Sequence, residues 1–102
     1  MLRTNHQKRS KLQERRAARD YGGQVQPGSG NGWSRKADVL SDNYLIECKT
    51  TTKESYSLKF ADLAKLAYQA MVENKDPVFE IEFAGYKQSF VIIPKDDFIV
   101  AS

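Results

Sequence analysis

Apolar residues recur along this chain in two rhythms, and the change from one to the other marks its elements. From about Lys8 to Tyr21, KRSKLQERRAARDY is rich in helix formers and stops at Gly22-Gly23, which predicts a helix. Ala17, Ala18 and Tyr21 follow Glu14 at spacings of three, four and seven. All four therefore share one helical face, so Glu14 points where the helix packs while Arg15, Arg16 and Arg19 point elsewhere. Residues 1–7 read as a flexible arm ahead of it. Gln24 to Gln26 suit a short strand, and PGSGNGW after them suits a mobile loop. The rhythm then becomes two: Ala37 to Ser41 and Tyr44 to Thr50 form the arms of a hairpin about Asp42-Asn43.

A helical stripe returns from about Phe60 to Asn74, where Phe60, Leu63, Ala64, Ala67, Ala70 and Met71 line up, and Asp76-Pro77 ends it. Pro77 to Phe83 and Gln88 to Pro94 read as two more strands. A tail with Phe98, Ile99 and Val100 is free to pack or to pair. The order helix, three strands, helix, two strands predicts an α/β domain, a central mixed sheet of about five strands flanked by helices.

At 102 residues the chain supports a single domain, placed at residues 8–102, and a homodimer is the default for extra buried area. No apolar run is long enough to span a bilayer and no secretory signal is evident, so an intracellular, cytoplasmic location is expected. One cysteine, Cys48, and one histidine, His6, allow neither an intrachain disulfide nor a zinc cluster. The net charge of +3 is unevenly spread: residues 1–36 hold nine basic and two acidic side chains, a net of +7, and the remainder is net −4. Such a field suits a polyanion, and a solvated basic helix is the plain alternative.

Three charges sit inside the hairpin. A two-residue turn pairs Leu40 with Leu45, Val39 with Ile46, and Asp38 with Glu47, whose Cβ atoms would then lie about 4.5–5.5 Å apart on one face. Lys49, two residues beyond Glu47, shares that face, while Ile46 and Cys48 point to the core. Opposed carboxylates repel unless a cation is present. Lys49 offsets one charge, and a hard ion such as Mg²⁺ would resolve the rest. An ordinary salt-bridged surface is the other reading of the same residues. Cys48 itself reads as a buried filler and not as a nucleophile.

These lines, S-R-K-A-D-V and L-I-E-C-K-T-T, resemble the P-D and D/E-x-K motif of the restriction-endonuclease-like nucleases, most closely the archaeal-type Holliday junction resolvases. Ala37 stands where that motif has proline. The resemblance spans about Lys8 to Pro94. It implies a restriction-endonuclease-like fold and a Mg²⁺-dependent endonuclease, with Mn²⁺ as substitute, that resolves four-way DNA junctions by paired nicks as a homodimer. It assigns Glu14, Ser34, Asp38, Glu47 and Lys49 to the catalytic site. The implied metal donors are Asp38, Glu47, the backbone carbonyl of Cys48, and Glu14. Arg9, Arg15, Arg16, Arg19, Arg35 and Lys36 are the expected phosphate contacts, setting affinity more than sequence preference. Trp33 would either stack on an exposed base or anchor its own sheet. A nuclease of the same fold acting on flaps, ends or duplex, and a non-catalytic nucleic-acid-binding module, are the alternatives.

Overall fold

The first helix, α1 (Asn5–Tyr21), begins three residues before the position that the pattern from Lys8 predicts, because Thr4 caps it. The Thr4 hydroxyl accepts from the Gln7 backbone N–H at 3.1 Å, and the Gln7 side chain accepts from the Thr4 backbone N–H at 2.8 Å. This reciprocal box satisfies two N–H groups that every helix start leaves without intrahelical partners. The computed structural model describes residues 4–27 and 37–101. Residues 28–36, with Trp33 and most of the expected mobile loop, lie outside the described residues.

α1 ends at Gly22, which takes the left-handed conformation (φ 66°). The next residue, Gly23, then passes so close to β2 (Val39–Leu40) that a Cβ there would lie 2.3 Å from the Leu40 carbonyl oxygen. Only glycine lets the chain turn and enter β1 (Gln24–Val25) at that separation. The remaining elements are β3 (Tyr44–Thr51), α2 (Phe60–Val72), β4 (Asp76–Phe83), a single 3₁₀ turn at Ala84–Tyr86, β5 (Gln88–Ile92) and α3 (Lys95–Ala101). The strands form one sheet in the order β1-β2-β3-β4-β5. All neighbours are antiparallel except β3 and β4, which run parallel and are joined through α2. The predicted mixed five-stranded α/β sheet is therefore observed, and the tail adds a short helix that the pattern left open.

The core has two halves because β3 and β4, as central strands joined by a helical crossover, are covered on both faces. On the α1 side Ala17, Val39, Ile46, Cys48 and Val78 pack together with Tyr21. On the α2 side Leu45, Leu66, Ala70, Phe79 and Ile81 do so, with Leu63 and Tyr56 at the margin. The expected stripe of α2 is only partly right. Leu66 and Ala70 are buried, whereas Phe60 is 82% and Met71 68% exposed. The helix is rolled to seat Leu66, and this roll carries Asp62, Lys65 and Gln69 to the sheet's polar margin. Among the described residues no helix is long and apolar enough to cross a membrane.

Candidate active site

The predicted hairpin register holds: Val39 pairs with Ile46 and Leu40 with Leu45. Ser41 and Tyr44 close the turn, Ser41 N–H donating to the Tyr44 carbonyl at 2.9 Å and its hydroxyl accepting from Tyr44 N–H at 3.0 Å. Regular pairing stops at Val39, one residue short of the acid. Asp38 N–H donates to the Ile46 carbonyl at 3.0 Å, and its carboxylate Oδ2 accepts from Cys48 N–H at 2.9 Å. A side chain thus takes the place of a backbone carbonyl in the ladder. The consequence is positional: the 4%-exposed carboxylate is fixed at the peptide that joins Glu47 to Cys48.

Along β3 the period of two separates the charges from the core residues. Leu45, Glu47 and Lys49 turn toward α2, and Ile46 and Cys48 toward α1. The Lys49 ammonium lies 3.3 Å from Glu47 Oε2. Both line a pocket of about 60 Å³, enough for a few waters or one phosphate-sized group, whose other wall is Asp62, Lys65 and Gln69 over Leu66 and Phe79. Tyr56 stands nearby against Phe79, with ring centroids 6.3 Å apart. Burial first, then the carboxylates of Asp62 and Glu47, push its phenol pKa up, so Tyr56 stays a neutral O–H beside the acids.

Glu14 arrives from the other side of the sheet. It is buried, as its helical face predicted, and lies 3.5 Å from Lys11. Its neighbour Gln13, only 1% exposed, donates from Nε2 to the Glu80 carboxylate at 3.2 Å and to the Glu80 carbonyl at 3.3 Å. Tyr21 donates its hydroxyl to Glu80 Oε1 at 3.3 Å. Glu80 is the register partner of Cys48 in the parallel pair. Burial, then the fields of Glu80, Asp38, Glu14 and Glu47 in that order, hold the Cys48 thiol far above its ordinary pKa. Four carboxylates thus act on one thiol, which stays protonated and non-nucleophilic.

The structure places Glu47 and Lys49 together on β3 and ties the Asp38 carboxylate to the same strand at Cys48 N–H, and the field of Glu14, from α1, reaches Cys48 as well. Among the described residues, no three His, Cys, Asp or Glu side chains converge as a metal cage. The donors that would suit Mg²⁺ are Asp38 and Glu47 with the Cys48 carbonyl, all hard oxygens, and the Asp38 carboxylate is held on the peptide between the other two residues. Ser34, Arg35 and Lys36 lie outside the described residues.

The expected phosphate contacts divide in two. Arg16 pairs with Glu82, whose other oxygen accepts from Thr50, and Arg19 pairs with Asp20 at 3.4 Å. Arg15 is exposed, and Arg9 lines a groove against β5. Sequence reasoning missed Gln13, Tyr56, Asp62, Lys65, Gln69 and Glu80. Two signals for them were present: a charge inside the apolar run Val78-Phe79-Glu80-Ile81, and Asp62, Lys65 and Gln69 at helical spacing beside Leu66. The chain matches no protein-family model, no curated protein and no solved structure.

Proposed function

We propose that this protein is a metal-dependent, structure-selective DNA endonuclease that hydrolyses phosphodiester bonds at four-way junctions. One observation carries the reading: Asp38 anchors its buried carboxylate on the peptide between Glu47 and Cys48, and Glu47 shares a phosphate-sized pocket with Lys49. A purely structural ion pair needs only Glu47 and Lys49. It gives no reason to bury a further carboxylate beside them, because each buried acid is costly without a cation.

Asp38, Glu47 and the Cys48 carbonyl would hold Mg²⁺, which when bound supplies a more acidic water and neutralises charge on the phosphate. Lys49 orients the attacking water against Glu47 and offsets the charge that grows on the phosphoryl oxygens. Glu14, from α1, orders the polar network on the other flank of β3. Asp62, Lys65 and Gln69 close the α2 side and limit the entry of bulk water. The exposed arginines of α1 set affinity for the DNA backbone.

Two copies acting across a twofold axis would place paired nicks symmetrically. An apolar groove of about 430 Å³, lined by Phe60, Ala64, Ala67, Pro77, Ile92 and Pro94, supports a homodimer. It lies on the α2 side, and Met71 of α2 and Phe98, Ile99 and Val100 of α3 are exposed as well.

A panel of end-labelled four-way junction, flap and linear duplex, incubated with Mg²⁺, tests the substrate class. The proposal expects opposed nicks in the junction and an intact linear duplex. Equal cutting of all three would leave a nuclease of broader substrate range, and no cutting with Mg²⁺ or Mn²⁺ would remove the activity.

A further inference from the structure

The geometry points to a second anion site, on the face of the sheet opposite the Glu47–Lys49 pocket, that grips the sugar-phosphate backbone of a DNA arm through Arg9, Arg16, Lys87 and Ser89. It rests on the proposal that DNA is the ligand, and it does not require that the chain cut it. The site is a groove of about 370 Å³ between α1 and the turn that leads into β5, with Leu12 and Glu82 in its wall. Elements some 70 residues apart in sequence bring three cations and a hydroxyl to one concavity.

Two observations make it more than a basic surface. Arg9 lines the groove, and its Nε is buried with no hydrogen-bond partner, so a charged donor is held dry at the groove's wall. Such a donor is costly to leave unmade, and an anionic oxygen satisfies it. The charge is also uncompensated: Glu82 is committed to Arg16 and Thr50, and among the described residues neither Arg9 nor Lys87 has a carboxylate partner. Lys87 occupies the left-handed region (φ 53°) at the end of the 3₁₀ turn, an unusual place for a long side chain.

The groove favours nucleic acid over an acidic peptide because its two α1 arginines continue as a track along the helix to Arg19, outside the groove. Arg9, Arg16 and Arg19 follow one side of α1 at spacings of seven and three. They cover about 15 Å of helix, and a strand of DNA repeats its phosphates along such a line. The pocket on the α2 side would take the scissile phosphate, and this groove a phosphate that is not cut.

Fluorescence anisotropy without divalent metal, on a labelled four-way junction and a linear duplex over about 50–200 mM salt, reads the site directly. The variants are Arg9→Lys, Lys87→Asn and, as a control outside the groove, Lys95→Ala. Asparagine suits the positive φ, so Lys87→Asn removes the charge without straining the turn. Lys87→Asn should weaken both DNAs about three- to tenfold and lower the salt slope by about 1. Arg9→Lys should weaken binding with the slope kept, because the charge remains and the guanidinium N–H is lost. Both variants binding as Lys95→Ala does would overturn the site, and so would a polyaspartate peptide binding the wild type more tightly than duplex. A wild type that shows these dependences but never cuts DNA overturns the nuclease proposal alone. One that cuts while both variants bind like the control overturns the groove alone.

Discussion

Cys48 reports most directly on the electrostatics of the site, because burial and four carboxylates act on it at once. Its folded pKa is raised above the ordinary 9.0, and that of Tyr21, beside Glu80, above 10.0. The stability linked to Cys48 is therefore fully present below pH 9 and is lost as pH rises beyond it, since the unfolded thiol ionises first. Urea unfolding at pH 8 and pH 10 should show a loss on the order of 1 kcal/mol from this residue, and Cys48→Ala should shrink that loss. A second residue-scale prediction concerns Gln13. Gln13→Ala leaves the buried Glu80 carboxylate without that donor and should cost about 1–3 kcal/mol in a denaturant melt, a loss that an exposed glutamine would not cause. The shared face of Glu47 and Lys49 was legible from sequence because strand alternation is geometric. Glu80 was not, because its partner Cys48 is set by a parallel crossover through α2, and nothing local encodes that register.

The elements hold the site through their ends. Thr4→Ala removes the hydroxyl half of the α1 capping box and should lower stability by about 0.5–2 kcal/mol, read as a lower Tm with a less helical CD signal. Gly23→Ala is a harsher test. The added Cβ would meet the Leu40 backbone, so β1 and β2 must separate, and Asp38 directly precedes β2. Stability and cleavage should therefore fall together in this variant. The α1 span and the hairpin were read nearly correctly because glycines, a tight turn and β-branched residues mark them. The start of α1 was set too late because the Thr4–Gln7 box stands within a polar stretch. The roll of α2 was misjudged for another reason: Phe60, Ala64, Ala67 and Met71 share a stripe as consistent with helical spacing as the one around Leu66. Which stripe meets the sheet is decided by packing on Phe79 and Leu45, and the losing stripe becomes exposed apolar surface.

For the whole molecule, that surface bears on the proposed homodimer. A domain of 102 residues that leaves Phe60, Met71, Phe98 and Val100 largely exposed gains by pairing, and the mass in solution should be twice that of the chain. Phe60→Asp should yield a folded monomer, detectable by light scattering, because Phe60 contributes little to the core. Segregation of charge was legible directly in the sequence, and the sheet class as a rhythm of helices and strands. The two-sided core and the groove beside β5 were not, since both depend on which face of the sheet each helix covers. The central claim is that Asp38 and Glu47 hold a metal ion that hydrolyses DNA. Its most direct test is Mg²⁺-dependent nicking of a labelled four-way junction by the wild type and Glu47→Gln, with equal DNA binding and equal Tm established first. The account predicts nicking by the wild type that EDTA stops, reduced at least about 100-fold in Glu47→Gln. Nicking by Glu47→Gln at the wild-type rate, or none by the wild type, would contradict it.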